Sequence, residues 1–170
     1  MKTNIIFLDI DGVLNSETFG HNEFVRTGKP SSTMYFVDPD AVARLEKLLN
    51  ERDDLKLVIS SSWRGFSFND TIKLLNKTKI STLTKFVVGV TPRNSKPRGE
   101  QIKQFIELAN KWDKDNINIT QLIPEKIEIK NYIILDDDSD FLPEQMNNFV
   151  KTSWKFGLLD EHIEKIKQIL

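Results

Sequence analysis

The chain has 170 residues, of which 39% are hydrophobic, and its formal net charge is -1. This length and composition suit one compact domain with a single buried core. The sequence has no cysteine, which excludes disulfides, thiolate metal sites and cysteine nucleophiles and fits a reducing compartment. Only four apolar residues directly precede Asp9, too few for a signal-peptide core or a membrane span. We therefore expect a soluble, cytoplasmic protein that does not bind membranes.

Short apolar runs predict the buried strands of a parallel sheet, because they lack polar alternation and are rich in β-branched residues. These runs cover residues 5–8, 57–59, 86–90 and 132–135. Helical patterns lie between them: one follows Asp38-Pro39, another follows Arg98-Gly99, and a last one ends at Leu170. Alternating strands and helices predict an α/β fold, a doubly wound three-layer sandwich with a mostly parallel sheet.

Two segments without a helical or strand pattern interrupt this alternation. Residues 15–37 contain glycine and proline and are interpreted as a small flap after the first strand, and residues 113–130 as an excursion before the last predicted strand. Neither is long enough for a separate domain. We therefore expect residues 1–170 to form a single domain without a large cap.

Acidic and hydroxyl side chains follow the predicted strands, and ligands of open α/β sheets bind beyond the carboxyl ends of the strands. The residues at these ends are Asp9 and Asp11, Ser60, Ser61 and Ser62, and Asp136, Asp137 and Asp138, with Asp140 close behind. Crowded carboxylates need a cation, and oxygen ligands without histidine or cysteine favour Mg²⁺. Mg²⁺ in turn suits a phosphate substrate. The serine hydroxyls can donate to a phosphoryl oxygen, and Lys96 or Arg98 at a helix start can neutralise another.

Four segments resemble, in order, the four motifs of the haloacid dehalogenase (HAD) superfamily: FLDIDGVLN, VISSSWR, SKPRGEQI and YIILDDDSD. The ISSSWR, RGEQI and LDDDSD segments, and the GLLDEHIEKI ending, are more narrowly similar to the HAD domains associated with RNA repair proteins. The resemblance implies a HAD-like fold and a phosphomonoesterase.

The resemblance also implies a role for each site residue. Asp9 would be the nucleophile that forms an aspartyl-phosphate, and Asp11 the acid that protonates the leaving group and then activates water. The metal ligands would be Asp9, Asp11, Asp136 and Asp137, and Asp140 could support a metal-bound water. The phosphate contacts would come from Ser61, with Ser62 next, and from one of Lys96 and Arg98, of which Arg98 is favoured.

The distribution of charge bears on the substrate. Residues 71–99 contain no acidic residue, but they contain Lys73, Lys77, Lys79, Lys85, Arg93, Lys96 and Arg98. The stretch is interpreted either as a solvated helix face or as a polyanion-binding surface. Together with an uncapped site, the second interpretation favours a phosphorylated RNA or DNA terminus, such as a 3′-phosphate.

Other interpretations remain at this stage. One alternative is a small-molecule phosphatase such as a nucleotidase, and a second is a non-catalytic module that binds a phosphorylated partner. Trp63, directly after the serines, is interpreted as a packing or rim residue rather than a base-stacking platform. His21 and His162 are given no role, and the sequence does not indicate an oligomeric state.

Overall fold

The computed structural model of the chain describes residues 2–28 and 37–170. Its sheet has five parallel strands in the order β3-β2-β1-β4-β5. They are β1 (Lys2–Leu8), β2 (Leu55–Ile59), β3 (Val87–Val90), β4 (Glu128–Asp136) and β5 (Phe149–Lys151). Each predicted run coincides with one of the first four strands, apart from the first residue of the run at 86–90. The edge strand β5 was not predicted.

Helices connect the strands. They are α1 (Glu17–Thr27), α2 (Pro39–Asn50), α3 (Phe68–Leu75), α4 (Arg98–Asn110), α5 (Ile117–Thr120) and α6 (Asp160–Ile169). The predicted start of α2 is confirmed, because the Asp38 side chain accepts a hydrogen bond of 2.9 Å from the Asp40 amide. None of the helices in the described part of the chain is long and apolar enough to cross a membrane.

The helices cover the sheet from both sides. On one side α2 packs against α6, and Arg44 of α2 forms an ion pair of 3.0 Å with Asp160 of α6. The chain reverses direction across the sheet after β3, so a right-handed connection places α4 on the opposite side. There the Phe105 ring meets the Phe7 ring edge-on at 5.5 Å. The predicted doubly wound α/β sandwich is confirmed.

The two segments predicted to be irregular contain helices. In the predicted flap at 15–37, Glu17–Thr27 forms α1, so the irregular interpretation is wrong for these residues. The missed signal is local: the Ser16 hydroxyl caps the helix by accepting from the Phe19 amide at 3.2 Å. Asn15 and Val37 form an antiparallel bridge at the base of the segment, whereas residues 29–36 lie outside the described residues. The segment at 113–130 contains α5 and the first residues of β4.

Candidate active site

The carboxyl ends of β1 and β4 bring aspartates together. Asp9 follows β1, Asp136 ends β4, and Asp137 comes next. The sheet register pairs Leu8 with Leu135, and the Asp9 amide donates to the Leu135 carbonyl at 3.0 Å. One carboxylate oxygen from each of the three aspartates lies within 4.8 Å of the others. Asp9 and Asp136 are buried and Asp137 is half-buried.

Arg98, in the first turn of α4, supplies positive charge to this cluster. Its Nη1 lies 2.9 Å from Asp9 Oδ2 and 2.7 Å from Asp136 Oδ2, and it also donates to the Ser60 carbonyl at 2.8 Å. Burial lowers the pKa of Arg98, but the charges of Asp9 and Asp136 outweigh burial and hold that pKa above its ordinary value. One guanidinium therefore faces three carboxyl groups.

Burial raises the pKa of each carboxyl group in the cluster, and repulsion by Asp9 adds to this effect at Asp136 and Asp137. Burial raises the pKa of Asp136 to about 7, with a further contribution from the charge of Asp9 and an opposing one from Arg98. Burial also raises the pKa of Asp9, although Arg98 and the Ser61 hydroxyl act against it. The pKa of Asp137 is raised by burial and then by the charge of Asp9. Full ionisation of the cluster therefore requires more positive charge than Arg98 supplies.

The donor set fits Mg²⁺. Oδ1 of Asp9 is buried and makes no well-formed hydrogen bond with the described residues. The clustered oxygens come from carboxylates alone, which is the ligand type that Mg²⁺ prefers. Gly12 has a φ of 68°, and a Cβ added there would overlap the carboxyl group of Asp137. The absence of a side chain at Gly12 thus leaves room for the Asp137 carboxylate. The residues that could hold the ion are Asp9, Asp136 and Asp137.

Asp11 has its own hydrogen-bond donors. Its Oδ1 accepts from Asn15 Nδ2 at 2.8 Å, and its Oδ2 accepts from Trp63 Nε1 at 2.9 Å and from the Ser62 hydroxyl at 3.4 Å. Asn15 is itself fixed, because its Oδ1 accepts from the Gly12 amide at 2.9 Å. In the described part of the chain, Asp11 is not a member of the carboxylate group within 4.8 Å. The structure therefore does not bring the Asp11 side chain together with the other predicted metal ligands.

A family profile described as "HAD domain in Swiss Army Knife RNA repair proteins" matches residues 5–163. The chain belongs to this HAD family. The structure is also similar to that of the HAD domain of effector protein Lem4 from Legionella pneumophila, with a TM-score of 0.48 and 18% identity over 99% of this chain and 94% of that one. No curated protein matches the chain. HAD family membership supports a HAD-type phosphatase in general, and the aspartate cluster agrees with the general use of Mg²⁺ by HAD domains.

The serine loop of this HAD domain lies beside Asp9. Ser61 is buried, its hydroxyl accepts from the Trp63 amide at 3.3 Å, and it lowers the pKa of Asp9. The Ser60 hydroxyl is buried without a hydrogen-bond partner in the described residues, whereas Ser62 is exposed and donates to Asp11. Ser61 is thus next to Asp9, the predicted nucleophile, and Ser62 is next to Asp11, the predicted acid.

The structure separates the two candidate cations at the start of α4. Arg98 lies in the aspartate cluster, and its amide donates to Asp140 Oδ2 at 3.0 Å. Lys96 is exposed, and its backbone rather than its ammonium makes the described contacts: its amide donates to Asn94 Oδ1 and its carbonyl accepts from Gln101 Nε2. The assignment of Arg98 to the phosphate stays a prediction, supported by this position. Asp140 holds the backbone of Arg98 in place.

Arg64 is a structural residue of the site that the sequence did not reveal. Its buried guanidinium donates to the carbonyls of Thr91, Ser61 and Pro92 and to Oε1 of Gln101. Burial, followed by the nearby charges of other arginines, lowers the pKa of Arg64 to about 10. The guanidinium joins the serine loop, the segment after β3 and helix α4. The sequence around Arg64 gives no sign of this role, because the acceptors of its guanidinium come mostly from segments far away along the chain.

Asn15 and Trp63 were also missed as site residues. A buried indole N–H generally finds a partner, and this requirement could have suggested Trp63 as a donor. His162 has no place in the site, but its Nδ1 accepts from the Leu159 amide at 2.9 Å at the start of α6. Burial lowers the pKa of His162, which favours the neutral form that can accept this hydrogen bond.

The cations of residues 71–99 have different partners. Lys85 pairs with Glu46 at 3.2 Å and lies over the Phe86 ring. Lys73, Lys77 and Arg93 instead line a cavity next to the serine loop. Part of the stretch thus lines this cavity, and its interpretation as a polyanion-binding surface stays a prediction.

Proposed function

We propose that this HAD domain is a Mg²⁺-dependent phosphatase that removes a phosphoryl group from a phosphorylated nucleic-acid end through an aspartyl-phosphate on Asp9. The carrying observation is the environment of Asp9. Its carboxylate has one oxygen against Arg98 and the other buried without a well-formed hydrogen bond. Asp11, the next acidic residue along the chain, is held by the separate donors Trp63 and Asn15.

The first step transfers the phosphoryl group to the protein. A carboxylate oxygen of Asp9 forms a bond to phosphorus while the bond from phosphorus to the ester oxygen breaks. Protonated Asp11 gives its proton to that oxygen, so the leaving group departs as a neutral alcohol. Trp63 and Asn15 hold the carboxyl group of Asp11 in a fixed orientation for this transfer.

The second step restores the protein. Asp11, now ionised, takes a proton from water, and the resulting hydroxide oxygen attacks the phosphorus of the aspartyl-phosphate. The bond from phosphorus to Asp9 breaks, inorganic phosphate leaves, and Asp11 is again protonated. The Arg98 guanidinium offsets negative charge on the phosphoryl oxygens, and Ser61 can donate its hydroxyl proton to one of them. Mg²⁺ held by Asp9, Asp136 and Asp137 would neutralise these carboxylates and the phosphate together.

Two findings support a nucleic-acid end as the substrate. The family is described by its occurrence in RNA repair proteins. Moreover, cations from residues 71–99 line a cavity that begins at Ser62 and Trp63, the donors to Asp11.

The test compares hydrolysis of para-nitrophenyl phosphate and a 3′-phosphorylated oligonucleotide by the wild type, Asp9→Asn and Asp115→Asn. Asp115 is exposed and serves as a matched control for the loss of one carboxylate. Chelation of divalent ions and Asp9→Asn should each lower kcat by about 10³-fold or more, and Mg²⁺ should restore the chelated protein. Acid quench of the wild type should trap an acid-stable phosphoryl-protein that Asp9→Asn does not form.

Normal turnover by Asp9→Asn would refute the covalent mechanism. Phosphate binding without turnover of any ester would favour the non-catalytic module. Higher kcat/KM for a mononucleotide than for the oligonucleotide would favour a nucleotidase.

A further inference from the structure

A surface cavity of about 440 Å³ lies beside the serine loop. Two of its lining residues, Ser62 and Trp63, are the same residues that donate to Asp11 Oδ2. Asp11 is the group that protonates the leaving oxygen in the proposed mechanism. The cavity is thus lined by residues that contact the proposed acid, so its chemistry bears on the identity of the leaving group.

An exposed aromatic ring forms part of the cavity. Phe66 is 77% exposed, and the Arg93 guanidinium carbon lies 4.9 Å from the centre of its ring. Arg93 is anchored there, because its Nη1 donates to the Arg64 carbonyl at 3.3 Å. An exposed phenylalanine backed by a guanidinium presents a flat apolar surface, which is the surface that nucleobases stack on.

The rest of the cavity carries excess positive charge. Lys73, Lys77 and Arg93 line it, and none of them forms an ion pair with the described residues. The acidic residue of the lining, Asp70, is already engaged as the acceptor of the Ser67 hydroxyl at 2.8 Å. A ring platform with unpaired cations around it complements a ligand that is both aromatic and polyanionic.

We propose that this cavity binds the base of the nucleoside that carries the scissile phosphate, with Phe66 stacking on the base and Lys73 and Lys77 following the adjoining phosphodiester. We therefore expect a single-stranded nucleic-acid end as the substrate, because a paired terminal base would have to leave its partner and its stacked neighbour to enter the cavity. This inference rests on the proposed function. It adds Phe66, Arg93 and the two lysines as residues that determine specificity.

The experiment compares two oligonucleotides with a 3′-phosphate, one with a base on the terminal nucleoside and one with an abasic terminal residue. Phe66→Ala should lower kcat/KM for the first substrate on the order of tenfold, and this loss should disappear with the abasic substrate. Phe66→Trp should keep or raise the efficiency. Because Phe66 is exposed, its replacement should leave folding intact.

Phe156→Ala is the matched control. Phe156 is 50% exposed, and the Lys155 ammonium lies 5.3 Å from its ring centre, but it is located after β5, at the sheet edge opposite β3. Its replacement should leave the discrimination between the two oligonucleotides unchanged. The lysines are tested with the double variant Lys73→Glu and Lys77→Glu. This variant should weaken the salt dependence of kcat/KM for the oligonucleotide. The control is Lys165→Glu in α6.

Several outcomes would overturn the inference. These are an equal loss from Phe66→Ala on both substrates, an equal loss from Phe156→Ala, faster hydrolysis of a blunt duplex than of the single strand, and preference for a phosphotyrosine peptide over the oligonucleotide. In these cases hydrolysis of para-nitrophenyl phosphate by the wild type would still support the proposed phosphatase. If neither that ester nor any oligonucleotide is hydrolysed, the proposed function itself is wrong.

Discussion

Replacement of Asp136 by asparagine should change how the stability of the metal-free protein depends on pH. Burial and the charge of Asp9 raise the pKa of Asp136 from 3.8 to about 7, so the folded state holds a proton that the unfolded state releases. This group therefore stabilises the fold at low pH, and its contribution is lost as the pH rises from about 4 to about 7. One pKa unit corresponds to about 1.4 kcal/mol, so the full contribution is ~4 kcal/mol. The asparagine side chain of the variant cannot titrate, so the variant lacks this contribution at every pH.

The assay is urea unfolding of the wild type and Asp136→Asn in the presence of a chelator at pH 5 and pH 8. Relative to the variant, the wild type should lose about 2.5 kcal/mol of unfolding free energy between these values. Asparagine keeps an acceptor for the Asp138 amide but loses the ion pair with Arg98, so the comparison uses the change with pH rather than the absolute difference. Excess Mg²⁺ should remove the loss at pH 8 in the wild type only. Parallel pH dependence of the two metal-free proteins would refute the electrostatic account of the cluster.

Substitutions elsewhere in the site should have distinct effects. Gly12→Ala should lower kcat on para-nitrophenyl phosphate by about 100-fold, since the new Cβ displaces the Asp137 carboxylate; a kcat near the wild-type value would contradict this. Trp63→Phe removes a hydrogen-bond donor to Asp11, and steady-state kinetics should show kcat lowered about tenfold for an alkyl phosphate but less for an aryl phosphate, whose leaving group needs less help from an acid. Equal losses on the two esters would argue that Trp63 does not act through Asp11. Arg64→Leu should lower the unfolding free energy by ~3 kcal/mol in urea titrations, because several buried acceptors lose their donor, and an unchanged midpoint would exclude this role.

The sequence predicted the parts of the fold and site that depend on local pattern. Apolar runs mark β1 to β4, and the carboxyl ends of parallel strands meet at one edge, which is why Asp9, Asp136 and Asp137 were expected together. Strand β5 was missed because Phe149–Lys151 has only three residues and gives no periodic signal. Helix α1 was missed because it includes Gly20 and lacks a clear apolar face, with Gly20 as its buried residue.

Contacts between distant segments were not predictable from pattern. Trp63 and Asp11 are 52 residues apart, and Phe66 meets Arg93 only because the loops after β2 and β3 converge. Side-chain donors of this kind are chosen by tertiary geometry, which a single sequence does not encode in any periodicity. The preference for Arg98 over Lys96 as the phosphate contact rested on a motif and stays a prediction, and the structure places Arg98 beside the carboxylates of Asp9 and Asp136.

The hydrogen bonds of Arg64 have a consequence for protein engineering. One side chain ties the serine loop to the segment after β3 and, through Gln101, to the helix that carries Arg98. The conformation of the serine loop therefore depends on contacts with the other two segments and not on its own sequence alone. A graft of the serine loop into another α/β scaffold would have to carry Arg64, its carbonyl acceptors and Gln101 with it. Loop-shuffling libraries of this HAD domain should accordingly recombine better at boundaries outside residues 60–101 than within them.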